Sequence, residues 1–152
     1  MLHDYVPRFD IIYTDGVKYK ELVTIPSRSS YLAAIDQFDY LNIIDSSTGQ
    51  VENKLTLKLH GQVVCIKAHP NLSIIFTSSI TGNCLFIDVS TNKPKILTCF
   101  HLDKISLDRM TFSSEGKFIG IANSKVGRIF VIGKNINDGD LSFVGLFTTN
   151  IQ

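Results

Sequence analysis

Four histidines (His3, His60, His69, His101) and three cysteines (Cys65, Cys84, Cys99) are the side chains best suited to hold a metal or attack an electrophile. Cys65 and His69 stand four apart, across a predicted strand and its turn. A structural zinc site needs a second Cys/His pair at matching spacing, and none follows. The expectation is a buried thiol and a turn histidine. An odd cysteine count without paired motifs reads as reduced, buried thiols. A strand-to-helix nucleophile needs Ser in G-x-S-x-G, which is absent. Ser113-Ser114 falls in a hairpin turn, where serine bonds the local backbone. No Walker-type or G-x-G-x-x-G loop offers a phosphate cradle. Asp45 and Asp88 read as turn residues. The sequence therefore predicts no catalytic, cofactor-binding or metal-binding residues.

Arg8, Lys18, Lys20 and Arg28 interleave with Tyr5, Phe9, Tyr13 and Tyr19, as a single-strand nucleic-acid surface would. Asp4, Asp10, Asp15 and Glu21 cancel that charge, so a solvated hairpin face is expected. Over the whole chain, 15 Lys and Arg against 14 Asp and Glu leave a net charge of +1. Bulk charge thus gives no reason to expect nucleic acid or an anionic membrane as partner. No apolar run approaches the ~18 residues of a membrane helix, so no membrane insertion is expected. The start, MLHDYVPRFD, lacks the apolar core of a secretory signal, so a cytoplasmic setting is expected. One polar loop stands out, KNINDGD, with Lys134, Asn135, Asn137, Asp138 and Asp140 as candidate interaction residues.

The elements that position these residues are short strands. With 152 residues, 44% hydrophobic and 19% charged, the chain has the composition of one globular domain. No helical stripe appears in any window. Short β-branched or aromatic runs alternate with Ser, Gly, Pro and Asp turns. A leading strand is predicted at 9–14, before the tight-turn pair Asp15-Gly16. Further strands follow at 21–25, 31–36, 40–45 and 54–59. The pattern restarts at 62–67, 73–78, 84–89 and 95–100, and again at 105–112, 118–123, 128–133 and 141–147. Asp45 and Asp88 lie 43 residues apart, and Gly82 and Gly127 lie 45 apart. Four strands per forty-odd residues is the signature of propeller blades. Ile44-Asp45-Ser46-Ser47-Thr48-Gly49 lines up with Ile87-Asp88-Val89-Ser90-Thr91-Asn92, with Gly49 and Asn92 expected to take the left-handed conformation.

These residues resemble the WD-repeat β-propeller family. Phe112-Ser113-Ser114-Glu115-Gly116-Lys117-Phe118 looks like its turn between first and second strands, and Leu59-His60-Gly61-Gln62-Val63 like its histidine-containing lead-in. Ile44-Asp45 and Ile87-Asp88 stand where Trp-Asp is usual. The resemblance covers about residues 20–147. The chain has no Trp, and Phe38, Thr81 and Val126 occupy the family's turn-aspartate position. The family's polar network is therefore not expected, and aliphatic packing is expected in its place.

The expected fold is all-β: a partial propeller over 1–152, with four-stranded antiparallel blades at about 20–59, 62–100 and 105–147. Closed propellers use four to eight blades, so further blades from the same chain or a partner are expected. The resemblance implies a non-catalytic protein–protein scaffold in a larger intracellular assembly. The Trp-free blades are similar to those of large scaffold proteins of cilia, flagella and intracellular trafficking, and the cilium and flagellum scaffolds imply an axonemal or cytoskeletal setting. The alternative is part of a propeller enzyme whose site lies in other blades.

Overall fold

Alternating side chains and frequent tight turns leave this chain one economical way to bury its apolar residues: as sequential antiparallel sheets stacked face to face. The computed structural model describes residues 16–102, 106–123, 126–134 and 141–150. They form three four-stranded sheets, each a simple meander. Blade 1 holds β1 (Tyr19–Thr24), β2 (Tyr31–Asp36), β3 (Tyr40–Asp45) and β4 (Val51–Thr56). Blade 2 holds β5 (Val63–Ala68), β6 (Ile74–Ser79), β7 (Asn83–Asp88) and β8 (Lys95–His101). Blade 3 holds β9 (Arg109–Phe112), β10 (Phe118–Ala122), β11 (Val126–Lys134) and β12 (Leu141–Asn150). The all-β, three-blade expectation holds. The leading strand at 9–14 lies outside the described residues.

The blades are copies down to their irregularities. β3 and β4 slip register between Ile43 and Ile44. β7 and β8 slip between Phe86 and Ile87, the matched position. Such bulges raise local twist. The first strands lie side by side, β1 against β5 and β5 against β9. The fourth strands β4 and β8 have no buried residue, and neither has β1.

Blade 2 is packed on both faces, so its middle strands are buried almost throughout. Ile66, Ile75, Leu85 and Ile87 join Ala33, Ile35, Leu41 and Ile43 of blade 1 in one core. Cys65, Phe76, Cys84 and Phe86 join Met110, Ile119 and Ile121 of blade 3 in the other. Period-2 alternation sorts consecutive residues such as Ile75 and Phe76 into opposite cores.

Three local expectations need correction. The strand expected at 54–59 is Val51–Thr56, followed by a single 3-10 turn at Lys58–His60. Gly61 closes that turn at φ 94°, where a Cβ would lie 2.9 Å from Thr81 Oγ1. The turn expected at Val126-Gly127 is the start of β11. Asn92 is not left-handed; among the described non-glycine residues only Asp39 has positive φ, 62°.

Candidate interaction surface

Successive turns fall at opposite ends of the blades. At one end lie the turns β2–β3 and β6–β7 and the connection β4–β5. Each of the two turns is closed by the last residue of its first strand. Asp36 Oδ1 accepts from the Phe38 and Tyr40 N–H groups at 2.9 and 3.1 Å. Ser79 Oγ accepts from the Asn83 N–H at 3.1 Å. Asn42, fully buried, donates to Asp36 Oδ2 at 3.1 Å and to the Tyr40 carbonyl at 3.0 Å. Its own Oδ1 meets no donor among the described residues. Asp39 pairs with Lys20 and accepts the Val63 N–H at 3.0 Å, fastening blade 2 to the blade 1 turn. Asn83 donates to the His60 carbonyl at 3.0 Å, and its Oδ1 meets His101 Nδ1 at 2.9 Å. The blades thus carry a polar network built from Asp, Asn and Ser, and the expectation of packing alone is corrected.

This end is closed by hydrogen bonds yet presents apolar side chains to solvent. Phe38 in one turn and Ile80 in the other are 52% and 49% exposed, and Leu59 on the connection between them is 91% exposed. Large apolar groups grouped on fixed turns mark interaction sites. Leu59 and Ile80 read as the next apolar positions of alternating runs, and Phe38 as the turn residue at the resembled family's aspartate position, so patterning alone does not single them out.

The opposite end fastens blade to blade. Arg28, in the β1–β2 turn, stacks 4.0 Å over the Tyr31 ring. Its Nη1 donates to the Val89 carbonyl at 2.9 Å and its Nη2 to Asn92 Oδ1 at 2.6 Å. Arg28 is therefore a tie between blades 1 and 2, not part of a free basic face. The β3–β4 and β7–β8 turns match: Asp45 accepts the Ser47 N–H at 2.8 Å, and Asp88 accepts the Ser90 N–H at 2.8 Å. Hydrogen bonds from Ser47 hold the Asp45 carboxyl below its ordinary value. The predicted interaction loop leaves Lys134 at the end of β11 on this same side. Asn135, Asn137, Asp138 and Asp140 lie outside the described residues.

His69 is the corresponding tie between blades 2 and 3. It is 4% exposed. Nδ1 accepts the Asn71 and Leu72 N–H groups at 3.1 and 3.0 Å, which fixes the proton on Nε2. Nε2 then donates to the Gly116 carbonyl at 3.1 Å, and the ring meets Phe112 edge-on at 5.3 Å. Protonation would set an Nδ1–H against two backbone donors. Burial lowers the His69 pKa from 6.5. Because the folded value lies below the unfolded one, this contribution to stability is complete above pH 6.5 and falls away as pH drops below it. Thermal unfolding between pH 5 and 8 should show that loss, and His69→Gln should flatten the dependence.

Among the described residues no group of three His, Cys, Asp or Glu could hold a metal ion. Cys65 and Cys84 are buried, and desolvation pushes Cys65 up and Cys84 up to about 12, so neither is an available thiolate. Cys99 corrects the expectation of buried thiols. It is exposed on the outer strand β8, with Sγ 3.5 Å from His60 Nδ1.

One face of blade 1 has no blade against it among the described residues. Tyr19, Leu22, Leu32 and Ile44 floor a groove of about 200 Å³ there, and Asp45, Ser46 and Gly49 form its rim.

No family model and no curated protein matches the sequence. Among solved structures, the chain is similar to Kluyveromyces lactis Hsv2, a WD40 β-propeller protein, at a TM-score of 0.63 and 13% identity over 85% of this chain. The chain is an incomplete β-propeller. It spans about half of that structure, 47%. Identity this low carries the fold and nothing finer. Among the described residues no helix is long and apolar enough to cross a membrane.

Proposed function

We propose that this chain is a non-catalytic protein-interaction scaffold. The observation that carries the reading is the end bearing Phe38, Leu59 and Ile80, apolar side chains held in solvent by turns whose hydrogen bonds are closed. A stable fold gains little by exposing them, whereas a partner surface would bury them. We take the chain to be a degenerate WD-repeat propeller segment, with blades near 20–59, 62–100 and 105–147. The Lys134–Asp140 loop is a second contact region. The larger assembly in this reading is intracellular and cytoskeletal, in a cilium or flagellum, which rests on the resemblance of the Trp-free blades.

The test is affinity capture with the protein and with Leu59→Asp, a site too exposed for the substitution to disturb folding. Partners retained by the parent chain and lost by the variant, at unchanged unfolding temperature, support the reading. Equal capture by both chains, or none by either, overturns it. Fluorescent tagging in ciliated cells tests the setting: a signal absent from the axoneme removes that part.

A further inference from the structure

The repeat assigns a job to the open face of blade 1. Register pairs place Leu22 with Ala34, and Leu32 with Ile44, on one side of that sheet. The matching residues of blade 2 are Ile66, Ile75 and Ile87. Blade 1 covers all three, and Ile66 is 1% exposed. Leu22, at the same place one repeat earlier, is 56% exposed. The surface that one blade of this chain buries against another is therefore repeated, open, at Leu22.

The rim repeats as well. Where blade 1 docks on blade 2, Arg28 reaches the Val89 carbonyl. Val89 has its counterpart in Ser46: the Val89 N–H bonds the Ser73 carbonyl at 2.9 Å, and the Ser46 N–H bonds the Ser30 carbonyl at 2.8 Å. Ser46 lines the groove rim beside the Asp45 carboxylate. A cation arriving from a preceding blade would meet the Ser46 carbonyl and that negative charge.

We propose that the Leu22–Leu32–Ile44 groove docks a further four-stranded β-blade carrying an Arg or Lys three residues before its second strand, the place that Arg28 holds before Tyr31 in blade 1. The proposal rests on the scaffold reading in that the occupant is protein. The similar solved propeller extends well beyond the 47% this chain matches, so room for such a blade exists in the architecture. A second copy of this chain fits poorly. Its third blade carries Glu115 three residues before β10, the place that Arg28 holds before β2. An acid there would face Asp45 and repel it. Residues 1–15 are too few for a four-strand blade.

The experiment places the photo-crosslinking residue p-benzoylphenylalanine at Leu22 in the full protein, irradiates it in its own cells, and sequences the crosslinked peptide. The expected product is a strand of a four-stranded repeat with Arg or Lys three residues before its second strand. Its yield should fall about tenfold in Asp45→Lys, because like charges across a rim slow association and weaken it. A product joining heavy- and light-labelled copies of this chain overturns the proposal. So does a product within residues 1–15, a product from a non-repeat protein, or no product at all. The scaffold reading is judged separately by Leu59→Asp, at the far end from the Asp45 rim. Capture that depends on Leu59 with no product from Leu22 ends this inference and leaves that reading standing.

Discussion

Phe86→Ala should cost about 3–5 kcal/mol, the range for removing a buried aromatic from a core. Phe86 is fully buried in β7. Its ring meets Phe76 edge-on at 4.9 Å and Phe100 at 6.0 Å. Such pairs add about 0.5–1.5 kcal/mol beyond their burial. Both Phe86 and Phe76 lie on the side of blade 2 that meets Met110, Ile119 and Ile121 of blade 3. In a stacked array the interface between neighbours is a large share of the stability. The loss should therefore fall on the docking of blade 3. Urea unfolding should change from one transition to two, with blade 3 leaving first. Leu22→Ala is the control. Its side chain is 56% exposed, so it should cost within about 0.5 kcal/mol. A single transition at unchanged midpoint for Phe86→Ala would show that this core does not hold the blades together.

The blade pattern was legible because turns and alternation are local. Thr48 and Thr91 each accept the N–H two residues on, from Gln50 and Lys93, both at 3.2 Å. The residues that set such a turn are neighbours in sequence, so matched spelling predicts matched geometry. The end of β4 was not legible. Val51, Asn53, Leu55, Leu57 and Leu59 alternate without a break, and nothing local says where pairing stops. It stops because the Leu57 N–H turns to the Asp39 carbonyl, 2.9 Å away, and because Gly61 turns the chain.

The polar network was missed for a related reason. In the resembled family the turn acceptor is an aspartate at the place of Phe38 and Thr81. In this chain the acceptor comes two residues earlier, at Asp36 and Ser79, and reaches forward. His69 and Cys65 are close in sequence, which makes them look like a pair. The true partner of His69, Gly116, lies 47 residues on and in another blade. A single sequence carries no sign of a bond between a ring nitrogen and a distant carbonyl.

That bond makes Gly116 the least replaceable turn residue of blade 3. Gly116→Ala should cost about 3–5 kcal/mol, more than its conformation alone explains. The residue sits at φ 72°, and a side chain there costs about 1–2 kcal/mol. A Cβ would also lie 2.2 Å from His69 Cε1 and Nε2. The ring cannot yield freely, since Asn71 and Leu72 hold its Nδ1 and Phe112 packs its edge. If the ring is displaced, buried donors and acceptors lose their partners at about 1–3 kcal/mol each. The two causes separate in a double-mutant cycle with His69→Ala. In that background the clash is gone, and Gly116→Ala should cost only the conformational share, about 1–2 kcal/mol. The coupling between the two sites should then be about 2 kcal/mol. Additive costs in urea unfolding would mean that His69 does not bear on Gly116, and the tie between blades 2 and 3 would have to be sought elsewhere. The buried Ser78 hydroxyl, which donates to the Leu107 carbonyl at 2.7 Å, and Asn71 Nδ2, which donates to the Glu115 carbonyl at 3.3 Å, are other polar contacts that join them.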